Sequence, residues 1–102
     1  MPREELYLQD IIASANAVER FLKNVEKDKF LADEILQNAV LMKLLVIGEA
    51  AARLSAELKG RHSEIDWRAI IGFRNVTIHA YFSVKGEIVW ETASERIKPL
   101  RK

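Results

Sequence analysis

Residues 67–82 read WRAIIGFRNVTIHAYF, and the interpretation of the whole chain starts from this stretch. Apolar side chains recur over most of its circumference at helical spacing, which predicts a largely buried helix. Four polar side chains, Arg74, Asn75, His79 and Tyr81, are nevertheless set into it within eight residues. Because an unpaired polar group out of water is costly, these four predict either buried partners or a functional site.

The spacing of the four polar residues places them on one half of a helix. At about 100° per residue, Arg74 and Tyr81 lie two turns apart on nearly the same line, and Asn75 lies one turn below His79. A guanidinium offers planar, permanently charged donors, and an imidazole exchanges a proton near neutral pH. The group therefore suits a phosphate-bearing ligand. The alternative is a structural role, in which Arg74 pairs with a core carboxylate and His79 bonds a backbone carbonyl.

The order Arg74-Asn75-x-x-x-His79-x-Tyr81 resembles the motif of HepT-like proteins, which belong to the HEPN superfamily. The resemblance covers nearly all of the 102 residues, with its motifs in family order, and implies a single HEPN/HepT-like domain over residues 1–102. The other similar stretches are Tyr7-Leu8-x-Asp10-Ile11, Ile47-Gly48-Glu49-Ala50-Ala51, Trp67-x-x-Ile70-x-Gly72-Phe73, Val89-Trp90 and Pro99-Leu100.

The resemblance also implies a function. It implies a two-fold homodimer with a composite cleft and metal-independent endoribonuclease activity on RNA, with Arg74 and His79 catalytic and Asn75 supporting. It implies the toxin of a type II/VII-like toxin–antitoxin pair, whose partner is a minimal nucleotidyltransferase (MNT) antitoxin. That partner would transfer AMP to Tyr81 and so exclude RNA from the site. The alternative is a non-catalytic nucleotide-binding or scaffold partner of a nucleotidyltransferase.

The residues themselves allow this chemistry. In RNA cleavage the 2′-hydroxyl of the substrate attacks phosphorus, so His79 need only exchange protons while Arg74 stabilises charge on the transition state. Asn75 would orient the phosphate or the imidazole. One such histidine per chain does not easily serve as base and acid in the same step, and a dimer with two copies of the site solves this problem.

Composition describes an ordinary globular protein. Apolar residues make up 49% of the chain, charged residues 30%, and the formal net charge of +1 provides no general field for nucleic acid. The sequence has no cysteine, no Gly-rich phosphate loop and no cluster of ligands at metal-binding spacing, so we expect neither metal nor cofactor.

The sequence predicts a cytoplasmic protein without a membrane segment. The N-terminal residues MPREELYLQD lack the basic start and apolar run of a signal peptide. The longest apolar stretch, residues 39–52, is interrupted by Lys43 and Glu49 and is too short to span a bilayer.

Hydrophobic periodicity predicts an all-α bundle of four main helices. Ser63 or Asp66 is expected to cap the third of them. The predicted helices cover residues 3–27, 31–58, 66–79 and 87–98, with a break at Asp28 and Lys29, a stop at Gly60 and another at Pro99.

The second predicted helix carries the most informative acid of the chain. Its middle, AVLMKLLVIGEAA, is apolar on nearly every side, which predicts a central helix covered by neighbours all round. Gly48 and the alanines after it form a strip of small side chains that lets another helix approach closely, and that partner is either the stretch around His79 or a second subunit. Glu49 lies in this strip. It either pairs with Arg53, four residues on, or reaches Arg74 and fixes its guanidinium, and the sequence favours the two equally.

Overall fold

A computed structural model describes the backbone of residues 2–80 and 86–96, and the side chains of residues 4–75 and 86–95. Every regular element within this part of the chain is helical, so the predicted all-α class is confirmed. In chain order the elements are α1 (Pro2–Phe21), α2 (Lys27–Leu31), α3 (Glu34–Ala52), α4 (Ala56–Gly60), α5 (Trp67–Ala80), α6 (Gly86–Glu91) and a π-helical segment (Thr92–Arg96).

Helix α3 is the centre of the bundle. It packs most extensively on α1 and next on α5, and it also contacts α2, α6 and the π-helical segment. Its inner face is formed by Val40, Leu44 and Ile47, none of which is more than 2% exposed. The helix begins where the Asp33 carboxylate accepts a hydrogen bond of 3.0 Å from the Leu36 amide, a typical N-terminal cap.

The first predicted helix, 3–27, is too long at its C-terminal end. Helix α1 ends at Phe21, and Asn24 in the following turn has φ of 61°, a left-handed conformation that asparagine tolerates better than most residues. The predicted break at Asp28 is also wrong, because it lies inside α2. This short helix brings Phe30 into the core, where its ring lies 5.2 Å from that of Trp90.

The second predicted helix, 31–58, is two helices. Helix α3 ends at Ala52, and Ser55 begins α4 by accepting a hydrogen bond of 3.1 Å from the Leu58 amide. The Ser55 amide in turn donates to the Glu4 carboxylate of α1 at 2.9 Å, and this hydrogen bond lowers the pKa of Glu4. A cap and a contact with a distant helix therefore divide the segment, although α4 does end at Gly60 as predicted.

The third predicted helix is confirmed over its whole length. Helix α5 starts at Trp67, and of the two predicted caps it is Asp66 that accepts from the Ala69 amide, at 3.1 Å. The Trp67 indole donates to the carbonyls of Lys59 and His62, which ties the start of α5 to the preceding turn. The helix then continues through the polar motif to Ala80.

The fourth predicted helix, 87–98, consists of α6 and the π-helical segment, and its predicted end lies outside the described residues. In this region the hydroxyls of Thr92 and Ser94 donate to carbonyls four residues earlier, at 2.9 and 2.7 Å. Such bonds compete with the regular helical pattern, which fits the change of helix type here. With α1, α3 and α5, this pair completes the four main helices of the bundle.

The prediction that α3 is covered all round is wrong for the single chain. Ile35 and Met42 on its outward face are 83% and 60% exposed, because no other helix of the described residues crosses that side. Helix α3 is also long and apolar enough to cross a membrane by length and composition, a test that the core helix of a water-soluble protein passes equally well. Its buried inner face is the core of this bundle.

Candidate active site

The site is formed where α3 and α5 cross at Gly48. A methyl group on Gly48 would collide with the Arg74 side chain and come within 3.3 Å of the Ile70 carbonyl oxygen. The strip of small side chains therefore admits another helix, as predicted, and that helix is α5. The contact lies at Arg74, one turn before Ile78, and it brings the Cβ atom of Arg74 directly against the backbone of α3.

Glu49, next to this crossing, holds Arg74 in a defined orientation. The Arg74 Nε and Nη2 groups donate to Glu49 Oε1 at 2.9 and 2.5 Å, and the Arg74 side chain is 24% exposed. The other oxygen, Oε2, accepts from Arg53 Nε and Nη2 at 3.2 and 2.9 Å. Both predicted roles of Glu49 are thus confirmed at once, because each carboxylate oxygen serves one arginine.

The shared carboxylate carries its charge because both arginines stabilise it. Hydrogen bonds from Arg74 first, and then from Arg53, lower the pKa of Glu49, while Glu49 raises the pKa of Arg53. Two guanidiniums against one carboxylate leave one net positive charge in this cluster. The cluster thus keeps a net attraction for an anion while its arginines are held in position.

Asn75 adds a further acceptor for the Arg74 guanidinium. The Arg74 Nη1 group donates to Asn75 Oδ1 at 2.6 Å, so Nε, Nη1 and Nη2 all have an acceptor. These contacts use three of the five guanidinium N–H groups. Within the described side chains, the other two N–H groups remain for a further acceptor. The sequence predicted that Asn75 orients the phosphate or the imidazole, and within the described residues its side-chain oxygen accepts from Arg74.

His79 lies in the last turn of α5, on the same helix as Arg74 and Asn75. Its side chain lies outside the described residues, and so does Tyr81 altogether. The structure therefore brings together Glu49, Arg74 and Asn75 from the set of predicted site residues.

A groove of about 320 Å³ opens beside the Glu49–Arg74 pair. Its polar lining comes from Tyr7 and Asp10 of α1, Glu49 of α3, Arg53 and Arg74. Three stretches that are far apart in sequence thus meet at one place. The sequence predicts no site role for Tyr7 and Asp10, and the only signal for them is that the stretch Tyr7-Leu8-x-Asp10-Ile11 carries part of the family resemblance.

Comparisons with known proteins identify the family of the chain. A family model described as “Ribonuclease HepT-like” matches residues 11–102. A Thermococcus cleftensis protein named “Probable ribonuclease HepT” is 37% identical over 95 residues, which are 93% of this chain and 86% of that protein. A protein of Caldanaerobacter subterraneus subsp. tengcongensis named “Putative RNase” is 34% identical, over 94% of this chain and 86% of its own length. No solved structure matches the chain. The extent of these matches, together with the helical bundle, shows that the chain belongs to the HepT-like ribonuclease family.

Proposed function

We propose that the protein is a metal-independent endoribonuclease and the toxin of a type II/VII-like toxin–antitoxin pair, acting in the cytoplasm. One observation carries the proposal in particular: in a chain of a ribonuclease family, Glu49 and Asn75 hold the Arg74 guanidinium at the mouth of a groove with two N–H groups to spare. A donor pair fixed before substrate arrives is what stabilises charge that develops in a transition state.

The proposed reaction is the attack of an RNA 2′-hydroxyl on the adjacent phosphorus. The bond between O2′ and phosphorus forms, the bond between phosphorus and O5′ breaks, and the products are a cyclic phosphate and a 5′-hydroxyl end. The imidazole of one His79 takes the proton from O2′, and the imidazolium of the other copy gives a proton to O5′. Arg74 stabilises the negative charge on the non-bridging oxygens, and Asn75 keeps the Arg74 guanidinium in this orientation.

The two copies of His79 require a homodimer, and the outward face of α3 supports one. Ile35, Met42 and Val46 recur along this face at helical spacing, and Glu49 continues the same line. Ile35 and Met42 are strongly exposed, and Val46 is partly so. A two-fold axis through this face would cover the apolar side chains of both copies and bring the two Glu49–Arg74 clusters toward each other.

Regulation would come from an MNT-type nucleotidyltransferase antitoxin that transfers AMP to Tyr81. The family resemblance carries this part of the proposal. An AMP group adds bulk and a negative phosphate within seven residues of Arg74 along the chain. Bound at the spare N–H groups of Arg74, that phosphate would compete with the scissile phosphate of RNA and keep the toxin inactive.

The proposal is tested with purified protein, RNA and an excess of metal chelator. We expect the wild type to cut RNA and leave cyclic phosphate ends, while Arg74→Ala and His79→Ala lose the activity but keep the helical circular dichroism spectrum. Arg20→Ala is the control and should cut RNA normally, because Arg20 is exposed near the C-terminal end of α1, away from the groove residues Tyr7 and Asp10. If the wild type binds nucleotide but never cuts, the non-catalytic binding partner is the correct alternative.

The toxin assignment is tested in cells by induced expression with and without a candidate antitoxin. Wild type should arrest growth and the antitoxin should relieve the arrest. Tyr81→Phe should remain toxic in the presence of the antitoxin, because it has no hydroxyl to modify. If the antitoxin relieved the growth arrest by wild type and by Tyr81→Phe alike, the assignment of Tyr81 as the modified residue would be contradicted.

A further inference from the structure

The groove beside Arg74 differs from a plain phosphate site in the chemistry of its walls. Its apolar surface comes from Leu45, Val46 and Ala50 of α3, and Tyr7 faces it from α1. Tyr7 is partly buried and packs against the core, so one part of the side chain is held while another lines the groove. An aromatic side chain beside an apolar surface is the usual receptor for a nucleobase in single-stranded RNA.

The charges of the groove lead to the same conclusion. Two guanidiniums, Arg53 and Arg74, face two carboxylates, Asp10 and Glu49, so their formal charges cancel. A site for several phosphates would need an excess of positive charge. Both oxygens of Glu49 already accept hydrogen bonds from the arginines, whereas Asp10 is exposed and makes no such pair with them within the described residues. The groove therefore has one end suited to a phosphate, at Arg74, and one carboxylate suited to accept hydrogen bonds.

The volume of the groove sets the size of the ligand. About 320 Å³ is at the lower end of the range for small-molecule sites, which begins near 300 Å³. This space suits one nucleotide rather than a longer segment. Val46 lines the groove and also belongs to the face proposed for the second copy, so the groove opens at the edge of the proposed composite cleft.

From these observations we propose that the groove is a nucleoside subsite, which binds the RNA nucleotide next to the scissile phosphate. This inference rests on the proposed ribonuclease function. Tyr7 stacks on the base, Asp10 accepts a hydrogen bond from an exocyclic amino group of the base, and Arg74 contacts the phosphate. A carboxylate accepts from the amino group of cytosine but repels the carbonyl oxygen that uracil has at the same position. The subsite therefore prefers cytidine over uridine.

The test compares cytidine and uridine monophosphates, which differ only at C4 of the base, an amino group in one and a carbonyl in the other, and in the protonation of the adjacent N3. Binding is followed by NMR titration of the isotope-labelled full chain, using for each base the tighter of its 3′ and 5′ isomers. We expect cytidine monophosphate to bind about tenfold more tightly, with shifts centred on Tyr7, Asp10 and Arg74. Asp10→Asn should bring the two affinities within about twofold, because an amide both donates and accepts.

Tyr7→Leu tests the stacking contact, since leucine keeps an apolar side chain but has no aromatic face. It should weaken the binding of both nucleotides by about tenfold, while Tyr7→Phe stays close to wild type. Thermal melting of each variant confirms that it is folded. Equal binding of the two nucleotides by wild type, shifts outside the groove, or a changed oligomeric state of Tyr7→Leu with unchanged nucleotide binding would overturn the subsite.

The outcomes separate this inference from the proposed activity, because mononucleotide binding needs no cleavage. Groove shifts and a cytidine preference in a protein that cuts no RNA support the subsite and contradict the ribonuclease proposal. RNA cleavage lost in Arg74→Ala, together with equal binding of cytidine and uridine nucleotides, supports the ribonuclease and contradicts the subsite.

Discussion

The outward face of α3 has two halves, and only in one of them do the side chains find their partners within a single chain. In the N-terminal half, Ile35 and Met42 are 83% and 60% exposed. In the C-terminal half, Glu49 uses both carboxylate oxygens, one for Arg74 and one for Arg53. The same helix thus presents an uncovered apolar surface next to a polar cluster that is already paired.

This difference follows from the physics of the two kinds of group. The Arg74 guanidinium is only 24% exposed, and a charge with so little access to water is unfavourable without a partner, so the polar half finds its partners within the chain. Exposed apolar side chains cost less individually and gain most when a second molecule covers them. We therefore expect the Arg74 guanidinium to be oriented before any dimer forms, while association supplies the second copy of the site.

The largest effect is expected from Arg74→Lys in the polar half. A lysine keeps the charge but lacks the planar fork that Glu49 and Asn75 hold, so the donors are no longer fixed toward the phosphate. The single-turnover cleavage rate should fall by about 100-fold or more.

Arg53→Lys is the matched variant on the same carboxylate. The Arg53 side chain is 55% exposed, more than that of Arg74. Arg53 directly follows α3 and pairs with Glu49 four residues earlier, so this pair does not join two helices. We expect a change in cleavage of about threefold or less, expressed mainly in KM, because exposed pairs at this spacing contribute little. Equal losses in both variants would show that orientation across the two helices is not what distinguishes Arg74.

The next effect is expected in the apolar half, from Met42→Glu. If a second copy covers this face, the variant places two unpaired carboxylates in the interface, one from each copy. Sedimentation velocity over a dilution series should show a dimer dissociation constant raised by about 100-fold. The cleavage rate at low protein concentration should fall in parallel.

Ile88→Glu is the control for Met42→Glu, since Ile88 is also exposed, at 48%, but lies on α6. Its dimer dissociation constant should stay within about threefold of wild type. A wild type that is monomeric at every concentration, or equal effects of the two variants, would remove the outward face of α3 from the interface.

A smaller effect, on stability, is expected at the crossing that joins the polar half to α5. Gly48→Ala places a methyl group against the Arg74 side chain, so α5 must shift. Overpacking of this kind costs about 1–3 kcal/mol in the free energy of unfolding, which chemical denaturation measures. Gly72→Ala, inside α5 with nothing within 4 Å of the added methyl group, should instead stabilise by about 0.5–1 kcal/mol. If both substitutions changed the free energy of unfolding in the same direction, the close crossing of α3 and α5 at Gly48 would be contradicted.

The sequence allowed prediction of features that depend on local pattern. Helical periodicity and the Asp66 cap gave the extent of α5, and the small side chain of Gly48 indicated a close helix contact. The two roles of Glu49 were both predicted because each partner arginine was recognisable from spacing or from the motif. The prediction could not show that one carboxylate serves both, since this requires the actual distance between α3 and α5.

Features that depend on distant contacts were missed. The apolar positions of α1 continue at helical spacing from Val18 to Val25, so periodicity alone did not show that α1 ends at Phe21 and that Asn24, in the following turn, is left-handed. Likewise Ser55 divides the second predicted helix with the help of Glu4, 51 residues earlier. The groove was missed for the same reason: Tyr7 meets Arg74 only through the packing of α1 against α3.

The smallest expected effect concerns the charge that holds the polar half together. Arg74 and then Arg53 lower the pKa of Glu49 below the ordinary value of 4.5, so the ionised carboxylate stabilises the folded chain. This stabilisation is present above about pH 4.5 and is lost as the pH falls through the lowered pKa. Glu49→Gln lacks it at every pH.

The difference in melting temperature between wild type and Glu49→Gln should therefore be largest near neutral pH and shrink progressively as the pH falls below 4.5. Glu5→Gln, on the exposed side of α1, controls for the change in net charge. If wild type and Glu49→Gln instead melt at the same temperature at every pH, Glu49 holds the arginines by its shape rather than by its charge. In that case Glu49→Gln should also keep wild-type cleavage, because an amide oxygen would orient Arg74 equally well.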